Sequence, residues 1–355
     1  MMPLWIRPRF SRIDTVKESQ MELPRIRPMP RDLSPTWQDD VEDLERAKEI
    51  VADPSVRARL PQVFHVGPTR TATTWTWYVL KNRANVSQEY KEIFFFAQNF
   101  SRGFDWYLSH FAPPLQDLPR VDIEPEYFPG RAARHRIESL IPNARIICSL
   151  RDPVDRLFSF YKILIRSTSL PPCSFEEACE SDWRLAESAR YGTHLEGWLN
   201  AFGRDRVLVL FYDDLLANPQ AYADTICRFI GIQPFELSNE LRQRVYASEH
   251  FTKPASRWWG EVGKAVGLRI WEFGSPRLNH LVRRLKLSRL FYDTGAPFTP
   301  PDAAVVARIK NRLRPEIELV EHLTGRHLSS WKGANIAPRT ETRPALVEYG
   351  QNASS

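Results

Sequence analysis

The sequence predicts an α/β fold of P-loop-like, three-layer type, with a central parallel sheet flanked by helices. Three observations predict it. Short apolar, β-rich runs recur at 63–67 (VFHVG), 144–150 (ARIICSL) and 206–215 (RVLVLFYDDL), the right length for buried strands and too short for helices. A helix-like segment follows each run, at 73–82, 153–165 and 219–231. The first strand enters its helix through FHVGPTRTATTW (64–75), a turn shaped for a phosphate-like group.

Taken in order, residues 1–33 are rich in Arg and Pro and carry no lasting periodicity, so they read as an extended or loosely docked arm. PTWQDDVEDLERAKEIVA (35–52) reads as a helix whose early acidic residues suit the positive end of its dipole. The helix at 153–165 opens with Pro in its first turn, and Gly231 stops the helix at 219–231. From about 232 to 332 the chain reads as mainly helical, without an internal repeat, and the polar stretch after Lys332 reads as a disordered tail. The expected organisation is an arm plus helix over 1–60, one domain over 61–332 and a tail over 333–355.

The bulk numbers fit a globular protein with a sizeable core: of 355 residues, 43% are hydrophobic and 26% charged. A net charge of +6 favours anionic ligands, but no basic run is long or aromatic-interleaved enough to indicate nucleic acid. Arg283, Arg284, Lys286 and Arg289 read as a solvated helix face, with an acidic-substrate or peripheral membrane patch as the alternative. The four cysteines, Cys148, Cys173, Cys179 and Cys227, lack CxxC pairing, so no zinc site is expected and reduced, packed thiols are. Neither a signal-peptide core nor a membrane span is apparent, and the expected location is cytoplasmic.

A strand-to-helix turn presents unpaired backbone N–H groups and the positive end of a helix dipole. Here Gly67 permits a tight turn, Arg70 supplies fixed charge, and Thr71, Thr73 and Thr74 offer hydroxyls. Alone, the turn is equally an ordinary connection whose threonines cap the helix. A second stretch, ARIICSLRDPVDRLFSFYKIL, puts Arg151 at a strand's carboxyl end and Ser159 inside the next helix. Ligands in open α/β sheets bind beyond the carboxyl ends of the strands, so both loops should open onto one crevice. For Arg151-Asp152 the plainer alternative is a local ion pair with a helix cap.

The pairing of GPTRTATTW with RDPVDRLFSFY resembles the 5′- and 3′-phosphate motifs of sulfotransferases that use 3′-phosphoadenosine 5′-phosphosulfate (PAPS). YKEIFFF (90–96) and DIEPEYF (122–128) are similar to segments of the heparan sulfate sulfotransferases, and YGTHLEGWLNAFGRDRVLVLFYDDL and LTGRHLSSW (323–331) to later segments of bacterial members. The resemblance covers about 62–332. It implies a PAPS-dependent sulfotransferase without a metal, acting on a hydroxyl-bearing acceptor. It further implies that Arg70 bridges toward the transferred group, that Thr71, Ala72, Thr73 and Thr74 hold the 5′-phosphate, and that Arg151 and Ser159 hold the 3′-phosphate. Glu92 falls on the family's base. Lys253 and Arg257 in SEHFTKPASRW (248–258) fall where a basic loop closes over the nucleotide.

Two departures bear on the acceptor. Phe94 stands for the family's His, and Ile123 for its Lys, with Glu124 and Glu126 flanking Pro125. Losing two cations and gaining acid argues against a highly anionic polysaccharide and for a neutral sugar, a lipid-linked alcohol or a small hydrophobic alcohol. The row Phe94, Phe95 and Phe96 fits either that acceptor or core packing. His65 and His135 are rival bases; His65 alternates within a strand and reads as structural. Two other functions compete: a P-loop kinase with Asp213 holding magnesium, weakened by Thr73 where lysine is needed, and a non-catalytic PAPS-binding protein.

Overall fold

A computed structural model describes residues 39–87, 91–111, 118–167, 169–243 and 298–333. Five parallel strands form its sheet: β1 (Val63–His65), β2 (Asn85–Val86), β3 (Arg120–Ile123), β4 (Arg145–Leu150) and β5 (Val207–Phe211), in the spatial order β2-β3-β1-β4-β5. In register, His65 of β1 lies beside Ile123 on one side and Ile147 on the other. β1 is therefore the switch point: from it the chain first reaches the edge strand β2, returns inward to β3, then crosses to β4 and β5 on the other side. Ligand crevices in such sheets open at the switch point, beyond the strands' carboxyl ends.

The strand period of two sorts side chains into two cores. Phe64, Ile146 and Cys148 face a larger cluster built with the helices Asp39–Ala52, Arg131–Leu140, Pro153–Arg166, Tyr191–Phe202 and Ala303–Thr324. Val63, Val121, Ile147 and Leu210 face a second cluster with the helices Thr73–Leu80 and Pro219–Ile230. The expected three layers are therefore present. Helix Pro153–Arg166 shows why its sequence folds as it does: Val154, Leu157, Phe160, Tyr161, Leu164 and Ile165 are buried at helical spacing, and the Asp152 carboxylate accepts from the N–H groups of Val154 and Asp155. Gly231, at φ 85°, ends the helix Pro219–Ile230 in the left-handed conformation that glycine adopts most readily.

Three strands differ from the sequence reading. β5 ends at Phe211 rather than 215, because Tyr212–Ala217 turns into a short helix with Asp213 and Asp214 in its first turn. β2 and β3 were not anticipated. β3 buries two charged residues, Arg120 and Asp122, which disguise it as a loop. The Asp122 carboxylate accepts from the hydroxyls of Tyr107 at 2.6 Å and Tyr127 at 3.2 Å, and burial pushes its carboxyl up to about 6. Among the described residues no helix is long and apolar enough to cross a membrane, and no His, Cys, Asp and Glu cluster has a metal-binding arrangement.

Candidate active site

The crevice begins where β1 and β4 end side by side. A Cβ on Gly67 would lie 2.4 Å from Ser149 Oγ and 2.7 Å from its backbone nitrogen, so only glycine lets the loop leave β1 this close to β4. Ser149 Oγ then joins a buried polar chain, 2.8 Å from His65 Nε2 and 2.9 Å from Thr71 Oγ1. The Thr71 hydroxyl also donates to the Pro68 carbonyl at 2.7 Å. It thus closes the loop on itself, which leaves the backbone N–H as Thr71's offering to a ligand. Burial pulls His65 down to about 3, so at neutral pH it is an uncharged support for the loop.

Arg70 and Ala72 both adopt left-handed backbone conformations, at φ 79° and 70°. Each such non-glycine residue costs roughly 1–2 kcal/mol, and such strain gathers at ligand-binding turns. Ala72 makes no side-chain cap for the helix Thr73–Leu80, so the first N–H groups of that helix stay available to an anion. Thr73 is buried beside them, and Thr74 is partly exposed.

The second loop meets the first through one bond: Arg70 Nε donates to Ser159 Oγ at 2.9 Å. Arg151, from the end of β4, lies 4.6 Å from the ring centre of Tyr212 and 3.8 Å from the Asp155 carboxylate, with its Nε buried and lacking a hydrogen-bond partner. Burial, and then the Arg151 charge, pull the Arg70 guanidinium down to about 10. Two guanidinium groups held near enough to oppose each other suit an anion placed between them. Lys253 and Arg257 lie outside the described residues.

Opposite this pair stands an acidic wall. The Lys91 ammonium is buried, donates to Thr73 Oγ1 at 3.2 Å and pairs with the Glu92 carboxylate, whose side chain is 14% exposed. Lys91 thereby joins Glu92 to the start of the phosphate-loop helix. Phe94 is left-handed at φ 56°, and its N–H donates to Glu124 Oε2 at 2.8 Å. The Glu126 N–H donates to Glu124 Oε1 at 3.2 Å, so Glu124 clasps the turns at 92–95 and 124–127 together. Burial, then the Glu92 charge, hold the Glu124 carboxyl well above the usual carboxylate range and push Glu126 up to about 7. Phe95 and Phe96 are fully buried, with Phe95 stacked on Tyr107 at 4.2 Å, so those two rings are core rather than acceptor surface. His135 sits exposed on the helix Arg131–Leu140.

Sequence reasoning missed Ser149, Tyr212 and the clasp made by Glu124. A serine in an otherwise apolar strand was the available signal for Ser149.

Among curated proteins the chain is similar to the bifunctional heparan sulfate N-deacetylase/N-sulfotransferases: number 1 of Xenopus laevis is 28% identical over 326 residues, covering 80% of this chain and 35% of the relative, and number 2 of Bos taurus is 30% identical over 234 residues, covering 58% and 26%. The chain thus spans about a third or less of the length of these relatives. Among solved structures, a sulfotransferase from Alicyclobacillus acidocaldarius aligns with a TM-score of 0.52 at 17% identity, covering 77% of this chain and 99% of its own, which supports the fold. The model of the sulfotransferase domain matches residues 60–256, more than half of the chain and all of the loops described above, and the chain belongs to that family.

Proposed function

We propose that the chain transfers a sulfuryl group from PAPS to the hydroxyl of an acceptor that is not a polyanion. The observation that carries this reading is the Arg70–Ser159 bond, which joins the 5′-phosphate loop to the 3′-phosphate helix with Arg151 alongside. A nucleotide phosphorylated at both ends fits that arrangement better than one phosphorylated at the 5′ end alone. PAPS supplies an activated sulfuryl group and a phosphate leaving group.

The residues divide the work as follows. The N–H groups at the start of helix Thr73–Leu80, with the loop N–H groups of Thr71 and Ala72, bind the 5′-phosphate, and Arg70 opposes the charge that grows on it as the S–O bond breaks. Arg151 and Ser159 bind the 3′-phosphate. Glu92 takes the proton of the acceptor hydroxyl as its oxygen bonds to sulfur, and Lys91 fixes the Glu92 carboxylate against Thr73. The balanced products are the sulfate ester, the 3′,5′-bisphosphate and a proton on Glu92.

The relatives are named for heparan sulfate and N-sulfation; here Phe94 and Ile123 stand where the resembled segments carry cations and Glu126 adds acid, and a hydroxyl acceptor without charge is the reading they support. The four free cysteines support a reducing, cytoplasmic setting. The test is calorimetric titration with 3′-phosphoadenosine 5′-phosphate against adenosine 5′-phosphate, on the wild type and Arg151→Ala. Preference for the 3′-phosphorylated ligand, lost in the variant, is the expected result. Equal binding of both ligands by the wild type would overturn the reading.

A further inference from the structure

We propose that Glu126 and Trp183 form the acceptor subsite, and that it takes an uncharged sugar ring. The inference rests on the sulfuryl-transfer reading and names the acceptor class. A small recess of about 20 Å³ lies next to the phosphate loop, lined by Thr69, Pro125, Glu126, Trp183, Arg184 and Ser188 among others. Its position is set by the fold: Thr69 directly precedes Arg70, and Glu126 follows β3 at the switch-point end of the sheet. The Glu92 charge reaches Glu126, which puts the recess within the field of the base.

Two of its side chains lack a structural occupation. Trp183 is 55% exposed, one of two large hydrophobic side chains exposed among the described residues, although Trp is highly buried on average and carries a large apolar face. Nothing in the described structure stacks on its ring. It opens the short helix Trp183–Ser188, whose Leu185 and Ser188 are buried and fix the ring at the rim of the recess. Glu126 accepts a long bond, 3.4 Å, from Thr69 Oγ1, and that contact leaves most of its acceptor capacity open toward the recess. By contrast Arg184 is paired with Asp182 through its Nε and Nη2, and its charge and that of Arg156 reach Glu126, where they favour the carboxylate. Glu187, also on the lining, adds a further carboxylate, although Arg190 and His194 lie against it.

An aromatic face beside a carboxylate matches the two surfaces of a sugar ring. The C–H face of the ring stacks on Trp183, while ring hydroxyls donate to Glu126. A uronate or sulfated sugar would bring its charge against Glu126, Glu187 and Glu92, and in a partly desolvated recess that repulsion is not screened as it is in bulk water. An alkyl alcohol would leave Glu126 desolvated without a donor, which weakens its binding. Both alternatives are therefore disfavoured by the same carboxylate, and Glu126 becomes the residue that sets specificity.

The experiment measures initial rates of sulfuryl transfer from PAPS to methyl hexopyranosides of gluco, galacto and manno configuration, to the matching methyl hexopyranosiduronates and to n-octanol. Each is run with the wild type, Trp183→Ala and Glu126→Gln, alongside calorimetric affinity for 3′-phosphoadenosine 5′-phosphate. The expected result is a kcat/KM at least tenfold higher for a neutral hexoside than for its uronate. Trp183→Ala should raise the hexoside KM at least tenfold with nucleotide affinity unchanged, and Glu126→Gln should shrink the neutral-to-uronate ratio at least fivefold. A wild type that binds the nucleotide but prefers uronates or octanol, transfers to no hexoside, or keeps its hexoside KM in both variants, overturns the subsite and leaves the sulfotransferase reading standing. Failure to bind the 3′-phosphorylated nucleotide removes both.

Discussion

Arg70 Nε donates to the hydroxyl of Ser159, 89 residues further along the chain, at 2.9 Å. The bond is what makes two anion-binding loops into one site. It orients a guanidinium that the left-handed backbone at φ 79° already turns into the crevice, and it sets that cation against Arg151. Removing the hydroxyl deletes one contact that orients the Arg70 side chain, while removing the guanidinium deletes the charge that, in the proposed mechanism, opposes the charge growing on the leaving phosphate. Ser159→Ala should therefore weaken binding of 3′-phosphoadenosine 5′-phosphate roughly tenfold, the loss of about one charge-assisted hydrogen bond. Arg70→Ala should lower kcat by about 10²–10³, the scale of a lost oxyanion donor. Calorimetry and single-turnover transfer separate the two; a variant pair with equal effects on binding and kcat would contradict the division of roles.

Glu92 has a narrower role, and its variant tests it directly. The carboxylate is tied to Lys91, which bonds Thr73, so Glu92→Gln keeps an acceptor oxygen for Lys91 while removing the proton acceptor. Transfer should fall by about 10²–10⁴ with nucleotide affinity unchanged. Unaltered turnover in Glu92→Gln would exclude it as the base.

The loop's dependence on Gly67 is steric. In Gly67→Ala the new Cβ would meet the backbone nitrogen and carbonyl of Ser149 at 2.7 and 2.8 Å, contacts that no rotamer change relieves. The strand ends must separate, and the cost expected is about 1–3 kcal/mol of stability. Equilibrium unfolding in urea reads this. Ser149→Ala in the same background should recover little, because two of the three close contacts are to backbone.

How much of this was visible beforehand depends on whether the signal was local. β1, β4 and β5 announced themselves as apolar runs, and Asp152, Pro153 and Gly231 marked helix ends through chemistry confined to one turn. β3 did not, since Arg120 and Asp122 violate strand patterning and are compensated by Tyr107 and Tyr127 and by the Phe111 ring, which are distant in sequence or beyond the strand. The two loops were legible as motifs that resemble phosphate-binding segments, but their junction was not: nothing in either stretch says that Arg70 reaches Ser159. Nor did the Thr71 hydroxyl betray that it serves Ser149 and Pro68. The recess at Glu126 was hidden for the same reason, because Thr69, Glu126 and Trp183 come from three separate elements and meet through the topology of the sheet.

Glu126 gives a last prediction, in the pH dependence of stability. Its carboxyl is pushed up to about 7, by burial first and the Glu92 charge second, from an ordinary value of 4.5. Between those values the folded chain holds a proton that the unfolded chain has released. Stability associated with this group is therefore fully present below pH 4.5 and is lost as pH rises through 7. Gln cannot ionise, so Glu126→Gln removes that loss. Relative to the wild type, the variant should gain about 1–3 kcal/mol between pH 4.5 and pH 8, with the difference flat above 8. Asp122, also raised by burial, is present in both proteins and largely cancels in the comparison, whereas Glu124, raised in part by the Glu126 charge, moves back down in the variant and adds to the same gain. Urea unfolding at pH 4.5, 6, 7 and 8 measures it. Stability curves that run parallel over this range would show that Glu126 ionises in the folded chain as freely as in water, and the acidic wall would then be solvated rather than held against the reacting groups.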